Sequence, residues 1–473
     1  MSEVKPVIRA LSRDQCEQVH QYSLRILSSV GVRIDSENAQ SLVARTTGQS
    51  AGADGRVRLP ADLVDWALQV APSSVAVYDR RGVRQFCLGS DRPRFGIGVT
   101  ALYYQDPRTD DVTPFARCHM ELMVRLADAL PNYDAISTVG VIQDTPPEQS
   151  DLYAVLEMLA NGTKPLVVLV SDDERFGDVL DLAQALHGDL SGRPFLIPYL
   201  NPITPLVINR GTADKMQVCV QREIPFIYSN YGMAGASTPL SPAGTLALMN
   251  AELLAGLTLS QMLRPGAPIV LGNLPAYFDM RGMGNLYDPV SYLLNLACAE
   301  MMAHYQLPHA GTSGSGMGWG ADLIAAGHQW FNHLTTCLGP VGLAPFVGDT
   351  LGSKVFSPSV VVLADEIIAQ ARRLADGFAL DWSRVGLQEI LTVGPGGSFL
   401  TCPSTLQQMR TAAFQSALFP NLTLESWQTA GKPSAETRLR QRTVELLENL
   451  VAPPDHRALM EAGSRWIADH CAR

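Results

Sequence analysis

The residues best placed to do chemistry follow short apolar runs, and most of them are aromatic or small and polar. Tyr199-Leu-Asn-Pro202 ends one run, Ser229-Asn-Tyr-Gly-Met233 the next, and Asn273-Leu-Pro-Ala-Tyr-Phe-Asp-Met-Arg281 a third. His309-Ala-Gly-Thr-Ser-Gly-Ser-Gly-Met-Gly-Trp319 and Pro345-Phe-Val-Gly-Asp349 follow two more. Acids and bases are scarce among them. Such a set suits a cation with no proton to donate, because each ring face attracts a quaternary ammonium by about 0.5–2 kcal/mol. Tyr231, Tyr277 and Phe346, with Tyr104 from an earlier hairpin, are the expected cage. Any one of these rings is more often ordinary core; their recurrence at successive run ends is what points to a site. A carboxylate on the same ligand would need donors. Arg281, His309, Thr312 and Ser313 are the candidates, and the backbone N–H groups of the glycine-rich stretch are an alternative; Asn201, at the end of its own run, is a further substrate-binding candidate. An internal pair of Arg281 with Asp279 is the plainer reading of that arginine.

Other chemistries find little support. The stretch 311–320 holds glycines at 311, 314, 316, 318 and 320 but lacks the Lys-Ser/Thr pair of a Walker A loop. A flexible loop over a site, a lid or a docking surface for a partner fits it better. His328 and His333 stand on one helical stretch, yet no H-E-x-x-H or Cys/His cluster accompanies them, and no metal site is expected. No G-x-S-x-G elbow argues for acyl hydrolysis.

The elements that must position these residues alternate regularly from about residue 130. Apolar runs at 135–140, 165–170, 194–199, 225–228, 268–272, 307–311 and 341–344 are separated by helical stretches near 148–160, 175–187, 211–222, 242–263, 288–305, 321–338 and 357–376. Uninterrupted apolar strands imply burial on both faces, and alternation with helices implies parallel pairing. That rhythm predicts a (β/α)8 barrel over 126–402 rather than an open nucleotide-binding sheet, since the turn Val141-Ile-Gln-Asp-Thr-Pro-Pro147 cannot cradle a phosphate. Seven strands are readable, and the eighth is expected within 377–402. Residues 1–125 read as an α+β cap with helices at Leu11–Val30 and Pro60–Val70 and with hairpins. Residues 403–473 read as a helical extension, amphipathic over Ser434–Leu450, that forms an outer layer or a contact between copies, so a homo-oligomer is expected.

The chain has 473 residues, with 36 Lys and Arg against 46 Asp and Glu, and a net charge of −10. That balance argues against a nucleic-acid groove and against adsorption on anionic lipid. Its 8 cysteines are scattered with no C-x-x-C pair, as free thiols in a reducing compartment would be. Charges throughout the first thirty residues do not suit a signal peptide, and the apolar stretch Leu246–Leu263 carries Glu252, so a cytoplasmic protein with no membrane span is expected.

Several segments carry a resemblance to a known family. Ile26-Leu-Ser-Ser-Val-Gly-Val-Arg-Ile34, Gly98-Val-Thr-Ala-Leu-Tyr-Tyr-Gln-Asp106 and Ser357–Gly377 contribute, and the most specific is Thr238-Pro-Leu-Ser-Pro-Ala-Gly-Thr-Leu-Ala-Leu-Met-Asn-Ala-Glu-Leu-Leu254, continued by Pro265-Gly-Ala-Pro-Ile269. Together they resemble the trimethylamine methyltransferase family over most of the chain. The resemblance implies a (β/α)8 barrel with additions at both ends, and transfer of a methyl group from an amine to the Co(I) of a cobalamin (corrinoid) carried by a partner protein. No Asp-x-His-x-x-Gly carrier signature occurs here, so the corrinoid is not expected to be this chain's own. Founding members use pyrrolysine, which this sequence lacks; branches without it act on quaternary amines, and glycine betaine is the substrate implied. The sequence departs from the family in Gly314-Ser-Gly-Met-Gly-Trp-Gly-Ala-Asp322, which has no acid before Asp322, and in Cys402-Pro-Ser-Thr405, where a histidine is usual. Carnitine, proline betaine, a tertiary amine or a sulfonium compound are the alternative donors. A binding protein without catalysis is the alternative from another class.

Overall fold

The computed structural model describes residues 2–48, 50–89 and 92–471. Its centre is a (β/α)8 barrel. The strands are β1 Arg94–Ile97, β2 Ala135–Ser137, β3 Leu166–Val168, β4 Leu196–Leu200, β5 Phe226–Ala234, β6 Ile269–Asp279 and, last, β8 Leu343–Val347. Each pairs in parallel with its neighbour, and β8 pairs with β1. The remaining place, β7, is filled by His309 and Ala310, which bridge Leu271 on one side and Leu343 on the other and so close the ring.

The first strand therefore stands at 94–97, inside the segment expected to be cap. The residues 377–402 supply no barrel strand: Phe378–Leu380 pairs antiparallel with Ser2–Val4 at the periphery. The reason β1 escapes a pattern reading is visible in its sequence, Arg-Phe-Gly-Ile. A Cβ on Gly96 would come 3.1 Å from the Pro345 carbonyl and 3.3 Å from that of Ala135, so a close crossing favours a glycine here and erases the apolar alternation. The hairpin Tyr103–Gln105/Val112–Pro114 is consequently the loop after β1. It pairs in parallel with Val355–Phe356 from the loop after β8 and forms one wall of the barrel mouth.

Two main cores carry the barrel's apolar load. One lies between the strands and the outer helices, where Phe95, Ile136, Leu166, Leu196, Phe226 and Ile269 meet helices such as Pro147–Asn161 and Pro242–Leu263. The other fills the barrel, from Ala135, Val167, Ile197, Ile227, Val270, Ala310 and Leu343. Period-two alternation sends neighbouring strand residues to these opposite cores. The inner core is finished from below by the hairpin Val75–Tyr78/Arg84–Leu88, whose Val75, Val77, Phe86 and Leu88 plug the N-terminal end of the barrel. Beside the plug, the side chain of Arg80 is 2% exposed; it binds the carboxylate of Asp455 through Nη1 and Nη2 at 2.5 and 2.6 Å and the Gly162 carbonyl through Nε. That pair ties the C-terminal extension to the barrel base.

Helix Pro242–Leu263 is, among the described residues, the one helix long and apolar enough to cross a membrane, and most of it is buried. It packs against the N-terminal helices Arg13–Ser29 and Ala61–Val70. Its Glu252, 2% exposed, accepts from Leu206 N at 2.6 Å, Thr204 Oγ1 at 2.9 Å and Asn230 Nδ2 at 2.6 Å. Asn273 Nδ2 in turn donates to Asn230 Oδ1 at 2.7 Å, so one buried carboxyl fixes β5, β6 and the loop after β4 together.

Candidate active site

The plug closes the base, and the strand ends open on the opposite side, where sites in this fold are built. A cavity of about 460 Å³ lies there. Most of the lining comes from residues at or just beyond the ends of β4, β5, β6 and β8 and from the segment that follows Gly311. β5 and β6 are long and run out beyond the ring side by side, paired from Phe226 to Ala234 and from Ile269 to Tyr277. The second wall thus stands on two strands instead of loops. It is completed by Gly284–Leu286, which turns back antiparallel along β6.

Five rings line the cavity: Tyr199, Tyr231, Phe278, Tyr287 and Phe346. Tyr199 and Phe346 meet edge to face, with centroids 5.0 Å apart and planes at 73°. Asn285 Nδ2 donates to the Tyr287 hydroxyl at 3.0 Å, and the Tyr231 hydroxyl lies beside both groups. Burial pushes the phenols of Tyr199, Tyr231 and Tyr287 above their ordinary range, so all three stay neutral near neutral pH. They offer ring faces and neutral hydroxyls, not bases.

Of the residues singled out from sequence, Asn201, Tyr231, Thr312, Ser313 and Phe346 come together around this cavity. Ser313 is fixed in place: its Oγ lies 3.0 Å from Asn295 Oδ1 and bonds the Pro275 carbonyl, while its N–H donates to Asn295 Oδ1 at 3.1 Å. Four others lie elsewhere. Tyr104 is buried in the hairpin wall, stacked on His119 at 4.1 Å between centroids. Tyr277 points away because it neighbours Phe278 on a strand; Phe278 takes the cavity face and Tyr277 packs toward Leu246 and Leu294. Arg281 is exposed in the turn after β6, with its N–H on Asp279 Oδ1. His309 is buried at the start of β7, beside Gly342 and the Ser73–Ser74 segment at the barrel base. Desolvation there holds its ring pKa down to about 4, so it is neutral at physiological pH.

Three lining rings and one acid carry no role in the sequence reading: Tyr199, Phe278 and Asp349, which lie in the candidate segments, and Tyr287, which lies outside them. Asp349 is 1% exposed, and its Oδ1 lies 2.8 Å from Ser315 Oγ. It is the one charged side chain among the described lining residues. Elsewhere among the described residues no three His, Cys, Asp or Glu side chains gather as metal ligands would.

Comparison with known proteins settles the lineage. A family model described as trimethylamine methyltransferase (MTTB) matches residues 1–472. The chain belongs to the trimethylamine methyltransferase family. Among curated members, it is 27% identical to a glycine betaine methyltransferase of Desulfitobacterium hafniense over 467 residues, covering 96% of this chain and 95% of the relative. It is 25% identical to a trimethylamine methyltransferase MttB of the same species, covering 94% and 91%. The crystal structure of the Methanosarcina barkeri monomethylamine methyltransferase MtmB superposes with a TM-score of 0.52 at 11% identity, covering 93% of this chain and 88% of that one. The last match bears on fold, and it agrees with the barrel derived above. This chain is thus a methyltransferase-family barrel whose mouth carries aromatic rings, neutral hydroxyls and one carboxylate.

Proposed function

We propose that this chain transfers a methyl group from a quaternary amine to the Co(I) of a corrinoid carried by a separate protein, with glycine betaine among the first substrates to try. One observation carries the reading: rings from several strand ends converge on a cavity sized for a small molecule, with no neutral-pH base among them. A quaternary ammonium has neither a proton to give nor a lone pair, so ring faces are the groups that can hold it. The corrinoid would supply a strong nucleophile that takes the methyl group, and the nitrogen departs as a neutral tertiary amine with no proton moved. What remains for the protein is to strip water from the head group, fix its orientation and aim one methyl at the open mouth. Tyr199, Tyr231, Phe278, Tyr287 and Phe346 do this from the barrel side. For glycine betaine the carboxylate is left with the hydroxyl of Thr312 and the N–H groups of the glycine-rich segment, because the Ser313 hydroxyl is committed to Pro275 and Asn295 and Arg281 and His309 lie elsewhere.

The absence of a carrier signature in the sequence supports a corrinoid that arrives on its partner. Exposed apolar side chains stand near the mouth to meet it, among them Met280, Met283 and Trp319. The segment between Phe378 and Trp427 exposes many large apolar residues, Trp382 at 76% among them, which supports association of copies. Free cysteines throughout the described chain support a reducing, cytoplasmic setting.

The test is methyl transfer. The purified protein, given glycine betaine, choline, carnitine or trimethylamine with cob(I)alamin, should convert the Co(I) spectrum to that of methylcobalamin with a quaternary donor. Turnover of trimethylamine alone would remove the quaternary assignment. Binding of a quaternary amine without transfer, to free or protein-bound cobalamin, would make the protein a binder.

A further inference from the structure

We propose that Asp349 is the counter-ion of the bound ammonium, and that the site prefers a quaternary amine whose tail is uncharged. The proposal rests on the quaternary-amine reading above and names the substrate class for that same cavity. Asp349 is 1% exposed, lines the cavity and forms no ion pair with a Lys, Arg or His of the described chain. Its polar neighbours are hydroxyls. Ser315 Oγ lies 2.8 Å from Asp349 Oδ1 and equally 2.8 Å from the Phe346 carbonyl, and Ser353 supplies a second hydroxyl. Gly316 makes the room: a Cβ there would stand 2.4 Å from Asp349 Oδ2 and 2.4 Å from Ser353 Oγ. The run Gly314-Ser-Gly316 is thereby shaped to seat a carboxylate against the cavity.

An isolated buried carboxylate is costly, so such an acid either stays protonated or ionises against a cation. No cation comes from the protein here, so a cation that ionises this acid must be the ligand. Burial pushes the Asp349 carboxyl above its ordinary range while the Ser353 and Ser315 hydroxyls pull it back, which suits an acid that ionises fully when a cation arrives. The tail follows from the same inventory. Asn201, Asn285, Thr312 and Ser313 are neutral, Arg281 faces solvent, and His309 sits at the other end of the barrel. A monocation makes the occupied cavity neutral. A zwitterion places a second carboxylate in a cavity of about 460 Å³ that already holds one and has no cationic side chain to meet it.

Calorimetry on the full chain tests this with choline and glycine betaine, which share a trimethylammonium head and differ in the tail. The wild type should bind choline about tenfold tighter or more, and Asp349→Asn should weaken choline by about tenfold while leaving glycine betaine unchanged or tighter. Thermal melts check that the variant is folded, and the wild-type preference is read without any variant. Glycine betaine binding as tightly as choline to the wild type, or an unchanged choline affinity in a folded Asp349→Asn, overturns the assignment while the quaternary-amine reading stands. Binding of neither compound to the wild type removes both.

Discussion

Replacing Phe346 by leucine separates attraction for charge from plain apolar burial. The ring is 7% exposed and meets Tyr199 edge to face at 5.0 Å, so leucine keeps most of the apolar surface but removes one π face from the cavity. A ring face over a desolvated cation contributes about 0.5–2 kcal/mol. At about 1.4 kcal/mol per tenfold, Phe346→Leu should weaken choline by roughly 2- to 30-fold. The neutral carbon analogue of choline, in which carbon replaces nitrogen, should lose much less, because leucine offers it a comparable surface. The aromatic pair itself is worth about 0.5–1.5 kcal/mol to folding, which a barrel of this size tolerates. Calorimetry with both ligands on both proteins gives the difference directly. Equal losses for the cation and its carbon analogue would show that Phe346 acts only as apolar surface, and the cage argument would fail.

Three further outcomes follow from the geometry. Gly316→Ala should lower choline affinity in a folded protein, because the added methyl at 2.4 Å displaces the Asp349 carboxylate at an overpacking cost of about 1–3 kcal/mol; unchanged calorimetry would deny Gly316 that role. His309 stays unprotonated in the fold down to about pH 4, whereas the unfolded ring titrates near 6.5, so its contribution is complete above 6.5 and is lost as pH falls toward 4. His309→Gln should therefore lose about 2 kcal/mol less stability than wild type between pH 7 and 5, read from urea midpoints; parallel losses would refute this. Asp455→Asn strands the buried guanidinium of Arg80 and should cost on the order of 2–3 kcal/mol, less than the 3–5 of a fully buried pair because Asp455 is 46% exposed. The accompanying release of helix His456–Cys471 should appear in limited proteolysis, and an unaltered cleavage pattern and midpoint would argue against the tether.

Strands backed by long apolar runs, such as Pro165–Val170 and Pro268–Gly272, were legible because burial on both faces leaves an uninterrupted signature. β1 was not, because close crossing forced a glycine into a strand of four residues. At the site the limit was parity. Sequence locates Tyr277-Phe278 at a strand end, but the choice of which ring faces inward depends on a register set across β5 and β6. Tyr287 joins the cavity only through the backfolded segment Gly284–Leu286, a tertiary arrangement with no local signature. In sequence His309 adjoins the glycine-rich stretch, yet the short strand β7 carries it to the base, away from the mouth. Asp349 ends the loop after the last barrel strand, but its weight comes from the lack of any other charge among the described lining residues, which only the assembled cavity reveals.

The hairpin plug under the barrel has a kinetic corollary. Among the described residues, Val75, Val77, Phe86 and Leu88 cover the base of the inner core, so the chamber opens toward the strand ends through a single doorway. On the proposed function, amine, methyl group and spent amine would all use it, and so would the partner that collects the methyl. On that reading occupation is ordered: the amine would enter before the partner covers the doorway, and the demethylated product would leave after it lifts away. Excess partner should slow turnover at low amine by standing in the way, a substrate-inhibition pattern that a barrel open at both ends would not produce.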